Sequence, residues 1–219
     1  MTLSNSPKQT VTAYNEAAIV IALAVAAAVL IKIPGLFGID MDQNEGFYMR
    51  NFSLFVLPLL TGYFSWKRRL PTKTLFWLAL AFVSAVLFAN TYPFESGSDT
   101  QTLLKLHLPI ALWLIVGVAY TGGNWSHVSN RMDFIRFSGE LFIYYVLIAL
   151  GSGVIMAIMV QIFHTIAIDI EPVFESWILP CGIVGAVIIA SWLVEIKQGV
   201  AENLAPMLAR LFSPLFTIV

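Results

Sequence analysis

The sequence predicts an all-α fold, a polytopic transmembrane bundle of about six spanning helices, and three observations lead there. Hydrophobic residues make up 58% of the 219 and charged residues 11%, against about 45–50% and about 25% in soluble domains. The apolar runs are continuous rather than alternating, as a helix crossing lipid requires and a β-barrel strand does not. The basic residues also collect in alternate connections between those runs, the pattern that sets membrane orientation.

The expected spans are about 17–39, 47–66, 74–90, 103–120, 141–168 and 177–194 in one domain covering 1–219. The first continues past Lys32 and Pro34 if the lysine snorkels toward the headgroups; its leader, Met1 to Glu16, holds one lysine and no cleavage signal, which reads as a retained anchor. The second is short unless Phe47 to Met49 extend it, and Pro58 and Gly62 predict an irregular helix. The third and fourth are near the minimum span, and Lys105 and His107 stand near the start of the fourth. The fifth is the clearest, with no charge from Leu141 to Val160, and the sixth follows it closely. Asn130 to Phe137, before the fifth, reads as a short interfacial helix capped by Asn130, with Met132, Phe134, Ile135 and Phe137 against lipid. From Gly199 the pattern suits a C-terminal interfacial helix, and after Pro214 it resembles a truncated seventh span, so the chain reads as a fragment or a shortened protein.

With Lys67, Arg68, Arg69 and Lys73 in the cytoplasm, Lys8, Arg131, Arg136, Lys197 and Arg210 join them, and both termini are cytoplasmic. Asp40, Asp42, Glu45, Glu95, Asp99, Asp169, Glu171 and Glu175 fall outside, while Trp66, Trp77, Trp125 and Trp177 suit the two interfaces. Small residues recur every fourth position at Ala18, Ala22 and Ala26, at Ala149, Gly153 and Ala157, and at Gly182, Ala186 and Ala190. Such rows let helices approach closely in lipid, so the first, fifth and sixth are expected to form a tight core. Gly38-Ile39-Asp40-Met41-Asp42 and Ala167-Ile168-Asp169-Ile170-Glu171 also echo each other, which chance accounts for better than an internal repeat.

No zinc spacing, nucleophile elbow, phosphate loop or paired catalytic carboxylates stand out, so no catalytic residue, metal or cofactor is expected. Cys181 reads as a small buried hydrophobe. Ionisable groups in spans are expensive and therefore candidates for a path or a pairing role. Glu140 follows Arg136 by four residues and Asp133 by seven, so the three can share one face as an ion-pair network. His107 can titrate near neutral pH or simply be hydrogen-bonded, and Gln161 and His164 can line a cavity with Asp169 and Glu171 or face water. The sequons at Asn51 and Asn124 fall on opposite sides and carry no meaning.

His107-Leu108-Pro109 with Trp113 and Gly117, then Arg131 to Phe137 with Gly139-Glu140, resemble a bacterial multi-pass membrane family. So do Ile168 to Glu171 with Trp177, and Leu208 to Pro214. That family is the domain of unknown function numbered 4153. The likeness covers Leu104 to Val219 well and the first hundred residues loosely. It implies a bacterial inner-membrane protein, usually longer than this chain, and supplies no reaction. The expected function is therefore a non-enzymatic inner-membrane transport component or permease-like subunit. The alternative is a membrane scaffold or regulatory subunit that binds protein partners or lipid. Lipid is the expected partner, with protein partners or a homo-oligomer left open and no nucleic acid.

Overall fold

The computed structural model describes residues 7–41, 43–94 and 98–197. Among these, six helices run alternately up and down: α1 (Pro7–Leu36), α2 (Glu45–Lys67), α3 (Thr72–Thr91), α4 (Asp99–Tyr120), α5 (Val128–Thr165) and α6 (Glu171–Lys197). No strand occurs among the described residues. The fold is an all-α helical bundle, and α1, α3, α4, α5 and α6 are long and apolar enough to cross a membrane. The C-terminal interfacial helix or seventh span expected from Gly199 lies outside the described residues.

The second helix reads weakly in the sequence because it is the centre of the bundle. α1, α3 and α4 all pack on α2, α4 most extensively, and Leu57, Leu60, Tyr63 and Phe64 are buried between them. A helix shielded from lipid can carry polar residues, and α2 buries Asn51, Ser53, Thr61 and Ser65. Its 23 residues span about 34 Å at the usual rise. Pro58 sits inside the helix without ending it.

Charges divide the bundle into two ends. Lys67, Arg68, Arg69, Lys73, Arg131, Arg136 and Lys197 stand at or near the ends of α2 and α6 and the starts of α3 and α5; Asp40, Glu45, Asp99, Asp169, Glu171 and Glu175 stand at the opposite ends. These are the basic and acidic ends below.

The expected tight core of α1, α5 and α6 needs correction. α1 and α6 do approach closely, since a Cβ on Gly185 would lie 3.8 Å from the Cβ and the carbonyl oxygen of Ala24. The α1 contact thus runs through Ala24 and Ala28, whereas Ala18 and Ala22 are exposed. α5 does not join them: Ala149, Gly153 and Ala157 are exposed, and a Cβ on Gly153 would meet nothing within 4 Å. Its half-buried side is instead Leu141, Tyr144, Tyr145 and Ile148, larger residues a fraction of a turn away.

The expected interfacial helix before the fifth span is also corrected. It is continuous with α5, whose N-cap is His127; Asn130 spends its amide on the Asn124 carbonyl (3.0 Å) rather than on a cap. Met132 and Ile135 are exposed as expected, but Phe134 and Phe137 are buried. Phe137 stacks with Trp113 and Tyr120 and meets Phe64 edge-on, and Phe134 packs at a tilt against the same Trp113 and Tyr120. Aromatic pairs at these separations contribute beyond their buried area, so the start of α5 anchors the basic end.

The echo between the α1–α2 and α5–α6 connections has a local cause. Ile39 N–H bonds the Pro34 carbonyl and Gly38 N–H the Gly35 carbonyl, with Gly38 at φ +79°; Ile168 and Ala167 bond Phe163 and His164 in the same way, with Ala167 at φ +58°. This is the paired closure that satisfies the last carbonyls of a helix. It recurs after α2 at Arg69–Leu70 and after α4 at Gly122–Gly123, so it marks helix ends and not a repeat.

Candidate functional site

Two arrangements gather chemistry. At the basic end, Lys67 reaches Glu16 at 2.5 Å and Glu195 at 3.1 Å, and Arg68 reaches both Glu195 oxygens at 3.2 and 3.3 Å. The Tyr63 hydroxyl donates to the Glu16 carboxylate at 2.6 Å, and Arg68 lies over the Tyr120 ring at 5.2 Å. Glu195 is 5% exposed in its side chain, so its charge depends on two cations in direct contact. The cluster ties α1, α2 and α6 together with two carboxylates balancing two cations. Beside it, Arg68, Asn124, Asn130, Asp133 and Arg136 line a polar cavity of about 400 Å³.

At the acidic end, a groove of about 720 Å³ opens between α1, the connection to α2, and the start of α6. Its walls are mainly apolar, including Val25, Val29, Ile33 and Trp177, and Lys32 and Asp40 also line it. Proline chemistry builds one side. Pro180 has no N–H to return to the Ser176 carbonyl one turn back, and the preceding turn, Phe174–Ile178, widens into a π-helical turn. The Lys32 ammonium donates to that Ser176 carbonyl and sits 4.8 Å from the centre of the Trp177 ring. Lys32 therefore stays within the bundle's rim instead of only reaching for headgroups. An ammonium has three donors, so donors remain for a further acceptor. The other side is held by main-chain carbonyls: Tyr48 donates its hydroxyl to Ile39 at 2.9 Å, and Asn44 gives its N–H and its amide to Asp40 at 2.9 and 3.3 Å. Such anchoring sets the Asp40 carboxylate 4.0 Å from where a Cβ on Gly35 would stand. Cys181, half-buried on this groove, donates weakly to the Ala28 carbonyl at 3.7 Å.

The sequence-based candidates fall elsewhere. Arg136 and Asp133 do pair, at 3.5 Å and largely exposed, but Glu140 does not complete the network: its buried Oε2 has no hydrogen-bond partner among the described residues. Spacing allowed all three on one face; the Arg136 side chain, however, turns back one turn to Asp133. The His107 ring nitrogen meets the Leu103 carbonyl of its own helix at 2.9 Å on an exposed face, the hydrogen-bonded alternative. Gln161, His164, Asp169 and Glu171 are all exposed and line neither of the two cavities above, and Asp169 accepts the Glu171 N–H at 3.0 Å as a local turn. These four face outward because no described residue covers the end of α5.

Glu16, Tyr63, Glu195 and the meeting of Lys32 and Asp40 on one groove were not singled out from sequence. Signals existed: a lone acid at each membrane-level helix end opposite Lys67, and Tyr63 and Lys67 four residues apart. Asn51 was read only as a sequon, yet it is 4% exposed. Its amide exchanges hydrogen bonds with Asn90 at 3.0 and 2.8 Å, pinning α2 to α3.

Among the described residues, no group of three or more His, Cys, Asp or Glu side chains is placed to hold a metal ion. Comparison with protein-family models, curated proteins and solved structures returns no match to this chain.

Proposed function

We propose that this chain is a non-enzymatic, multi-pass protein of the bacterial inner membrane that binds membrane lipid, as a scaffold or regulatory subunit. The basic end faces the cytoplasm on this reading, with both termini, since positive residues favour that side. Membership of the family numbered 4153 is part of the same proposal and rests on the motifs of the second half. The observation that carries the lipid reading is the acidic-end groove: mainly apolar walls along α1 and the start of α6, with the Lys32 ammonium among its lining residues. Amphipathic sites of this form bind a chain by apolar contact and a headgroup by charge. Native mass spectrometry of the chain gently extracted from its own membrane tests it. Wild type is expected to retain phospholipid, Lys32→Met to lose most of it, and Arg131→Met, at the far end, to retain it. Equal retention by all three contradicts the assignment to this groove.

The transport-component reading keeps one specific support, the Glu16–Tyr63–Lys67–Glu195–Arg68 cluster, which joins three helices where a gate would open. A solute flux lost in Lys67→Met with the bundle intact favours it; a folding defect alone favours the scaffold.

A further inference from the structure

The groove carries two opposite charges, and their arrangement selects a headgroup. Lys32 and Asp40 both line it, and Asp40 approaches Gly35, one helical turn beyond Lys32. No ion pair joins the two side chains, and no hydrogen bond occupies the Asp40 carboxylate among the described residues. Lys32 is held instead by the carbonyl that Pro180 leaves without its helical donor and by the Trp177 face. Asp40 is held by its main chain through Asn44. The two charges are thus held by separate partners at the rim of one apolar groove.

We infer that the occupant is a zwitterionic aminophospholipid, with its phosphate on the Lys32 ammonium, its primary ammonium on the Asp40 carboxylate, and an acyl chain along Val25 and Val29. A purely anionic headgroup would satisfy Lys32 but bring its negative charge beside Asp40. A trimethylated headgroup would reach Asp40 without an N–H to donate. The inference rests on the lipid reading above and adds the lipid's class.

The test uses the full chain in nanodiscs of equal parts phosphatidylethanolamine and phosphatidylglycerol with matched acyl chains, followed by native mass spectrometry of the retained lipid. Wild type is expected to enrich phosphatidylethanolamine about fivefold over the bulk ratio, the scale of one interfacial ion pair. Asp40→Asn is expected to abolish the enrichment or reverse it toward phosphatidylglycerol, Asp40→Glu to keep it, and Lys32→Met to lose both lipids. Retained lipid at the bulk ratio in wild type, or an unchanged ratio in Asp40→Asn, overturns the headgroup assignment and leaves the lipid reading standing. No retained lipid in wild type, or a protein bound in its place, overturns both. An unfolded Asp40→Asn leaves the wild-type ratio and the Asp40→Glu variant to decide.

Discussion

Gly117 shows how much one residue decides at the basic end. A Cβ there would stand 2.7 Å from Trp125 and 2.8 Å from Phe134, and Trp125 and Phe134 are packed edge to face at 5.8 Å. Phe134 cannot yield without disturbing Trp113, Tyr120 or Phe137, and Trp125 packs on Phe134. Gly117→Ala is expected to destabilise the α4–α5 junction by about 1–3 kcal/mol, the usual range for overpacking, measured by reversible unfolding in mixed detergent. Wild-type stability in that variant would show that the rings move aside freely. The sequence marks Gly117 among the motif residues of the second half but gives no reason for it, because a required absence of volume leaves no local pattern. Lys32 was similarly half-legible. Its place near a helix end read as snorkelling, but its acceptor is on Ser176, far away in sequence, and depends on Pro180.

At the scale of elements, spans were legible from apolar length while partners were not. Spacing shows which residues share a face of one helix but not what that face meets. The Asp133–Arg136–Glu140 face was read correctly as a shared face and incorrectly as a network, while Glu16 and Glu195, on helices at opposite ends of the chain, converge on Lys67. The two glutamates therefore separate in behaviour. Glu195→Ala is expected to destabilise the bundle by roughly 2 kcal/mol, below the range for a fully buried pair because Lys67 and Arg68 keep side-chain exposures of 23% and 38%. Glu140→Gln is expected to be neutral or slightly stabilising, since it removes a charge without a partner. Unfolding midpoints of the two variants compare them directly, and a larger loss in Glu140→Gln would restore the network that the sequence suggested. α2 illustrates the complementary failure: its polar residues weaken the hydropathy signal because its neighbours, not lipid, cover it.

For the whole molecule, the alternation of helices and the division of charge were both readable, since each is a property of composition along the chain. Cysteines at Ser98 and Ser129 in a Cys181→Ala background are expected to label from opposite sides of the membrane; labelling from one side contradicts six crossings. The groove was not readable, because it forms where α1, its following turn and the widened start of α6 meet, three segments whose proximity no single stretch of sequence announces. The central claim, that this groove holds a lipid, is tested most directly by crystals grown in a mesophase doped with a phospholipid carrying bromine on its acyl chain. Anomalous bromine peaks between α1 and α6, beside Val25, Val29 and Cys181, are expected. Peaks confined to the outer surface of the bundle, with the groove closed by side chains, would contradict it.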